Sequence, residues 1–176
     1  SFNVSPSGLS NPVFYWECLN FMEITQRLPI KLMIEITENQ TLTITPAIKE
    51  LIRSLRNRGV LFALDDFGTG YANLCYLNEL DLDVIKIDKT FIKAIKEVEQ
   101  HIPMLESIIH LSGLLGLRMV AEGVEYGYQQ QWLRKNNVDY LQGYQFLPPV
   151  MFDDFMRFYK QSVGLFESAS DSTFSA

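Results

Sequence analysis

The chain has 176 residues, of which 47% are hydrophobic, and these values predict one domain with a sizeable core. Fifteen basic and 21 acidic residues give a net charge of −6, which argues against broad electrostatic binding to a nucleic acid polymer or an anionic membrane. A small anionic ligand remains compatible with this charge if metal ions override it locally. No apolar run approaches the ~20 residues that span a bilayer, so we expect no membrane insertion of this segment.

The cysteines and histidines do not form a recognisable metal or redox motif. Cys18 and Cys75 are far apart and match no CxxC or zinc spacing, and we expect reduced thiols in a cytoplasmic domain. His101 and His110 lie nine residues apart, a spacing that suits no standard metal motif, and we interpret both as structural.

Short β-rich runs alternate with longer amphipathic segments along the chain. Runs at 2–5, 31–36, 60–65, 83–88, 118–122 and 138–143 predict strands. Helical patterns cover 45–59 and 102–116, each ending in a glycine suited to a C-cap, and the shorter, more polar segment 127–137. This alternation predicts a parallel sheet covered by helices. An open doubly wound sheet and a (β/α) barrel are both compatible with it.

Six predicted strands are fewer than a complete barrel requires. A (β/α)8 barrel takes ~250 residues, so the chain would be two β/α units short. The opening SFNVS reads as a strand already in progress, and we expect that preceding residues are missing from this sequence. At the other end, ESASDSTFSA is serine-rich and aperiodic. We therefore expect a folded domain over 1–164 and a flexible tail over 165–176.

Each predicted strand carries a polar residue at or near its C-terminal end. In a parallel α/β sheet these ends lie on one face, where such folds bind ligands. A single glutamate at this position is equally well explained as the cap of the next helix, but six strands with the same pattern are not. The residues are Asn3, Glu35, Asp65 with Asp66, Lys86 with Asp88, Glu122 and Gln142.

The chemistry of this set points to hard cations. Crowded carboxylates repel one another and are driven to protonate unless a cation neutralises them. Ligation by oxygen alone suits Mg²⁺ or Mn²⁺. The adjacent Asp65 and Asp66 fit a pair of cations, with one carboxylate bridging, if the backbone twists so that both side chains face the ligand. Two metals ~3.5–4 Å apart stabilise the attacking and leaving oxygens in phosphoester hydrolysis.

The sequence also resembles a known family. The stretches that carry the resemblance run from residue 3 to residue 146 in the family's order and spacing: NVS at 3–5, EITE at 35–38, LDDFGTGYANL at 64–74, IKID at 85–88, VAEGVE at 120–125 and QGYQF at 142–146. They resemble the EAL domain, a bacterial module that hydrolyses cyclic di-GMP to linear pGpG. The resemblance implies a (β/α) TIM-like barrel, of which about six of eight units are visible here.

The resemblance implies a role for each polar residue. Lys86 and Glu122 would orient the attacking water, and Gln142 would lie near that water and the substrate. Glu38 and Asp88 would stabilise loops, among them the loop at 67–74 that the family associates with dimerisation and metal occupancy. The implied ions are two Mg²⁺ or Mn²⁺, and we expect Ca²⁺ to bind without supporting turnover. The implied metal ligands are Asn3, Glu35, Asp65, Asp66 and Glu122, with Asp65 bridging.

One departure from the family leaves an alternative open. The glutamate of the name-giving E-A-L triplet is a metal ligand in the family, and no such triplet precedes Asn3 here. If it is absent from the intact protein, the module would be an inactive receptor for cyclic di-GMP or a protein-interaction module. Otherwise we expect a phosphodiesterase that forms a homodimer, with a sensory or diguanylate cyclase-like domain upstream. Tyr144 and Phe146 are candidate walls for the guanines.

Overall fold

The computed structural model describes residues 1–26, 30–37, 43–69, 74–151 and 153–159. Its strands form one six-stranded parallel sheet in the order of the sequence. The strands are β1 (Phe2–Val4), β2 (Met33–Thr37), β3 (Leu61–Phe67), β4 (Val84–Ile87), β5 (Arg118–Ala121) and β6 (Tyr140–Leu141). The helices are α1 (Pro6–Leu9), α2 (Pro12–Thr25), α3 (Pro46–Arg56), α4 (Leu74–Glu79), α5 (Lys89–Ile92), α6 (Pro103–Leu114) and α7 (Gly127–Lys135). Residues 153–159 are also helical.

The strand order distinguishes between the two architectures that the sequence allowed. A doubly wound sheet reverses its strand order at a switch point, whereas β1 to β6 follow one another without reversal. This is the arrangement of a (β/α) barrel, with six of the eight units that a complete barrel has. All six predicted strands are confirmed, with boundaries that shift by up to two residues.

The two faces of the sheet have different partners. On the outer face, Ile34, Phe62 and Ile85 pack in the main core, to which the helices contribute. On the inner face, Ala63 and Val84 belong to a small separate cluster with Val120 and Met33. Because side chains alternate along a strand, the inner rows of β2, β3 and β4 continue toward the strand ends through Glu35, Asp65 and Lys86. The alternation therefore directs the polar residues to the inside of the barrel.

The helices predicted from the sequence are confirmed. In α3, the buried residues Ile48, Ile52 and Leu55 repeat at the spacing of one helix face and pack in the main core. Gly59 and Gly116 follow α3 and α6 with φ of 97° and 68°, as expected of glycines near helix ends.

Helix α2 was not among the predicted helices. Its sequence PVFYWECLNFMEIT is apolar around most of its circumference, so the helical period is weak. The side chain of Asn11 caps the helix by accepting a hydrogen bond of 2.9 Å from the Val13 N–H. Cys18 is a buried free thiol on this helix. No helix among the described residues is both long and apolar enough to cross a membrane.

Candidate metal and phosphodiester site

A bulge in β3 presents two adjacent carboxylates on the same side of the sheet. The register between β3 and β4 shifts between Leu64 and Phe67, so that Asp65 and Asp66 lie opposite the single residue Lys86. Asp66 has φ of 54°, a left-handed conformation that aspartate adopts more readily than most residues. In regular β-structure consecutive side chains point to opposite faces. The bulge therefore provides the backbone twist that the aspartate doublet required.

Three carboxylates converge at this bulge. Ligand oxygens of Asp65, Asp66 and Glu122 all lie within 4.8 Å of one another. Asp65 is buried, whereas Asp66 and Glu122 are partly exposed. Glu122 directly follows β5, which is two strands away from β3 in the sheet. The inward-facing positions at the C-terminal strand ends thus bring residues from distant parts of the sequence into one acidic cluster.

Lys86 connects this cluster to a fourth carboxylate. Its Nζ lies 2.8 Å from Oε2 of Glu35, 2.9 Å from Oδ1 of Asp65 and 2.7 Å from Oε1 of Glu122. The side chains of Lys86 and Glu35 are only 7% and 4% exposed. A buried ammonium ion without partners would be very unfavourable. Here three carboxylates compensate for its burial, and it offsets their mutual repulsion.

The ion pairs keep Lys86 protonated. Burial alone would lower the pKa of Lys86, but its contacts with the carboxylates of Glu122, Glu35 and Asp65 outweigh burial, and the net shift of the pKa is upward. The Lys86 side chain is therefore an ammonium at neutral pH. In this arrangement it can donate hydrogen bonds and supply positive charge, but it cannot accept a proton as a general base.

Two carboxylates of the cluster resist ionisation. Burial raises the pKa of Asp66, and the charges of Asp65 and Asp88 raise it further. Burial also raises the pKa of Glu122, and the opposing effect of the hydrogen bond from Lys86 only partly compensates. A cation beside these groups would favour their ionised forms. The electrostatics of the cluster therefore favour a bound cation.

Two buried oxygens supply an independent indication of a cation. Oε1 of Glu35 and Oδ1 of Asp65 have no hydrogen-bond partner among the described residues. Oδ1 of Asp65 forms an ion pair with Lys86 Nζ at 2.9 Å. Buried polar atoms normally have partners. Carboxylate oxygens that accept no hydrogen bond and lie beside an acidic cluster are suitable ligands for Mg²⁺ or Mn²⁺, so the residues fit such ions.

A cleft of about 510 Å³ extends from Glu122 along the surface. One wall carries two exposed lysines of α5 and its C-cap, Lys89 and Lys93. The segment after β6 also lines the cleft and contributes mostly apolar side chains. The remaining lining residues are Gly123, Glu125, Gln142, Gly143, Tyr144, Leu147, Pro148 and Pro149. The acidic cluster therefore opens into a cavity of the size of a small-molecule site.

The sequence model of the EAL domain matches residues 1–149. The chain belongs to the EAL domain family. Cyclic di-GMP phosphodiesterase PdeL of Escherichia coli K12 is 40% identical over 150 residues, which are 84% of this chain and 41% of PdeL. The chain spans less than half the length of the curated relatives it matches.

Solved EAL structures share the fold. The EAL domain of Mycobacterium smegmatis DcpA has a TM-score of 0.79 at 30% identity, and the match covers 90% of this chain and 71% of that chain. Klebsiella pneumoniae BlrP1, solved with manganese and cyclic di-GMP, has a TM-score of 0.64 at 28% identity, and the match covers 81% of this chain and 37% of that chain. BlrP1 was also solved with calcium and cyclic di-GMP. These neighbours confirm the predicted TIM-like barrel fold.

The EAL domain brings five of the predicted residues together. Glu35, Asp65, Asp66, Lys86 and Glu122 form the cluster described above.

Asn3 is exposed and pairs in register with Glu35, so it lies on the same face of the sheet. Gln142 is exposed and lines the cleft beside Glu122. Asp88 caps α5 by accepting a hydrogen bond of 2.8 Å from the Thr90 N–H. Glu38 lies outside the described residues, as do the tail at 165–176 and part of the loop at 67–74.

The sequence interpretation missed Lys89 and Lys93. Both line the cleft of this EAL domain. They were not predicted as site residues because lysines on a short helix resemble an ordinary solvent-exposed helix face. A signal was nevertheless present, since the two lysines are four residues apart and directly follow the IKID strand. That spacing places side chains on the same side of a helix.

Proposed function

We propose that this protein hydrolyses cyclic di-GMP to linear pGpG with two divalent cations. The observation that carries the proposal is the β3 bulge, which places Asp65 and Asp66 together beside Glu122. The orphaned oxygens of Glu35 and Asp65 support cation binding at the same place. Membership of the EAL family supports the choice of substrate, because PdeL is named a cyclic di-GMP phosphodiesterase and BlrP1 was solved with that nucleotide.

The ligands proposed for the cations are oxygens from four strands or strand ends. Asp65 would be the ligand that both ions share, since its carboxylate lies within 4.8 Å of ligand oxygens of Asp66 and Glu122 and also contacts Lys86. When bound, the cations supply Lewis acidity, which acidifies water and neutralises the phosphodiester oxygens. We choose Mg²⁺ or Mn²⁺ as the active ions, and we expect Ca²⁺ to occupy the oxygens without turnover because it tolerates looser geometry. The assigned ligands are Asn3, Glu35, Asp65, Asp66 and Glu122.

The protein groups orient the water and the scissile phosphodiester. The Lys86 ammonium, held by three carboxylates, keeps a positive charge at a fixed position and holds Glu122 in place, so neither group needs to rearrange as charge develops. Glu122 contacts Lys86 at 2.7 Å and also faces the cleft, so it can orient water between the cluster and the substrate. Gln142 lines the cleft beside Glu122 and offers an amide for the same water or for the ligand.

The proposal extends to the setting of the reaction. Because cyclic di-GMP is a bacterial second messenger, we place the protein in the cytoplasm and its activity in bacterial signalling, such as the control of biofilm or motility. We also propose a homodimer and a sensory or diguanylate cyclase-like domain upstream. The length of the curated relatives, which exceeds the matched region, supports additional domains.

The test is hydrolysis of cyclic di-GMP by this chain and by a form extended upstream with its native sequence. Each form is assayed with Mg²⁺, Mn²⁺, Ca²⁺ or EDTA, and pGpG is measured by chromatography. We expect pGpG from the extended form with Mg²⁺ or Mn²⁺ only. Binding of the nucleotide without cleavage under all conditions would instead identify a receptor, and the absence of both binding and cleavage would favour a protein-interaction module.

A further inference from the structure

The cleft beside Glu122 is lined by two lysines that have no role in the proposed mechanism. Lys89 and Lys93 both line it and are both exposed. They are four residues apart across α5 and its C-cap, which places them on the same side of that turn. Neither forms an ion pair with any of the residues that the structure describes, whereas Lys49 and Lys135 pair with glutamates.

Lys89 is held close to the loop that follows β5. Gly123 follows Glu122 with φ of 69°, and a Cβ added at Gly123 would lie 2.6 Å from Cβ of Lys89 and 3.5 Å from its Cα. The backbone after Glu122 therefore rests directly on the base of the Lys89 side chain. This contact fixes the origin of the Lys89 side chain, which lines the cleft, relative to Glu122.

The segment after β6 is also held close to the loop that follows β5. Gly143 approaches Val124 so tightly that an added Cβ would lie 2.2 Å from the Val124 carbonyl oxygen. The Val124 N–H also donates a 3.0 Å hydrogen bond to the carbonyl of Gln142. Lys89 and the segment after β6 thus both pack against the loop after β5, so these parts of the cleft lining are held in fixed positions.

The charges along the cleft define what it can bind. The Lys86 ammonium is fully engaged by three carboxylates and has no charge to offer a second anionic group. Glu125 adds a further negative charge to the lining. An anionic ligand in this cleft therefore depends on Lys89 and Lys93 for neutralisation. An ammonium acts on a phosphate as a point charge and needs no fixed geometry.

We infer that Lys89 and Lys93 bind the second phosphodiester of cyclic di-GMP, the one that is not cleaved. The inference rests on the proposed function. The ligand is a ring with two phosphodiester groups, each carrying one negative charge. When one group lies at the acidic cluster, the other must occupy a neighbouring part of the cleft, where the two lysines are the available cations. The lysines thus act in binding the substrate and not in the chemical step.

The experiment compares the KM and kcat of charge-removing and charge-keeping variants of the active form of the protein. Lys89→Gln and Lys93→Gln remove a charge but keep an N–H donor, and the double Lys89→Arg/Lys93→Arg variant keeps both charges. Lys96→Gln removes the same charge from an exposed lysine that does not line the cleft. Each variant is assayed with cyclic di-GMP over a series of salt concentrations, and with bis(p-nitrophenyl) phosphate, which has a single phosphodiester.

We expect the KM for cyclic di-GMP to rise about 5-fold in each single glutamine variant and about 25-fold in the double glutamine variant, with kcat within a factor of about two. The rise should be largest at low salt and several-fold smaller for bis(p-nitrophenyl) phosphate. The arginine variant should restore the KM of the wild type. The Lys96→Gln control should match the wild type.

Two results would overturn the inference. An unchanged KM in the double glutamine variant would show that the lysines do not contact the substrate. A fall in kcat at constant KM would show that they act on the acidic cluster instead. If the wild type cleaves bis(p-nitrophenyl) phosphate but neither binds nor cleaves cyclic di-GMP, the proposed function fails and the inference fails with it. If the wild type is active on cyclic di-GMP, the proposed function stands, and a negative result with the lysine variants overturns the inference alone.

Discussion

The Nζ atom of Lys86 on β4 lies 2.8 Å from Oε2 of Glu35 on β2, across the intervening strand β3. The two residues are 51 positions apart in the sequence. The ammonium lies over β3 close enough to contact Asp65 as well. Lys86 therefore acts as an internal counter-ion for carboxylates from neighbouring strands and stabilises the acidic cluster in the metal-free protein.

Removal of this counter-ion should affect both stability and turnover. In Lys86→Ala, three carboxylates lose their common partner, and we expect the free energy of unfolding in EDTA to fall by about 3 kcal/mol. Turnover of cyclic di-GMP should fall at least ~100-fold, while cation binding is retained. Urea unfolding, calorimetric titration with Mn²⁺ and the pGpG assay measure the three quantities.

The matched control for Lys86 is Lys49→Ala. Lys49 pairs with Glu79 at 3.1 Å, but both side chains are about 40% exposed or more. The loss in this control should stay below about 1 kcal/mol. Equal losses in the two variants, or full activity in Lys86→Ala, would contradict the role assigned to Lys86.

The adjacent aspartates should have opposite effects on stability. Asp66→Asn removes a charge that the folded protein disfavours, and asparagine tolerates the left-handed backbone, so we expect the free energy of unfolding in EDTA to rise by up to about 1 kcal/mol. Asp65→Asn weakens the ion pair with Lys86 and should cost about 1–2 kcal/mol. Both variants should abolish turnover. A destabilised Asp66→Asn would show that its carboxylate has a structural partner.

The close approach of two loops beside the cleft predicts a contrast between two glycines. Gly143→Ala would place Cβ against the backbone of Val124 at 2.2 Å and should cost about 3 kcal/mol. Gly113→Ala, within α6 and with open space around the added Cβ, should instead stabilise the protein by about 1 kcal/mol. Thermal or urea unfolding compares the two. A tolerated Gly143→Ala would mean that the cleft wall can move.

The cap of α5 predicts a pH dependence of stability. Burial would raise the pKa of Asp88, but hydrogen bonds from Thr90 and from backbone N–H groups outweigh burial, and the pKa is lowered. A lowered folded pKa means that Asp88 stabilises the fold above its unfolded pKa of ~3.9, and this stabilisation is lost as the pH falls through the folded pKa. Asp88→Ala should therefore cost about 1 kcal/mol near neutral pH and progressively less below about pH 4.

The control for this cap is Asp88→Asn. Asparagine keeps an oxygen acceptor for the Thr90 N–H, so its smaller cost should not vary with pH. Unfolding measured in urea from pH 3 to pH 7 tests both variants. A cost of Asp88→Ala that persists unchanged at the lowest pH would show that the cap does not depend on the carboxylate charge.

The sequence by itself determined the repeating β/α pattern and the location of the polar site residues at the C-terminal ends of the strands. Short β-rich runs and helical patterns are local signals, and the structure confirms them in all six strands and in α3, α6 and α7. The rule that parallel strands end on one face was sufficient to expect Glu35, Asp65 and Glu122 in one place. Helix α2 escaped prediction because an almost uniformly apolar helix has no period to detect.

Only the tertiary structure decided how the polar residues interact. The strand order, which excludes a doubly wound sheet, depends on pairing between distant segments. The bulge that turns Asp66 toward Asp65 arises from the register of β3 against β4, and no local signal encodes that register. The charge state of Lys86 depends on carboxylates from neighbouring strands. Electrostatic energies depend on separation in space and on burial, and both exist only once the sheet has formed.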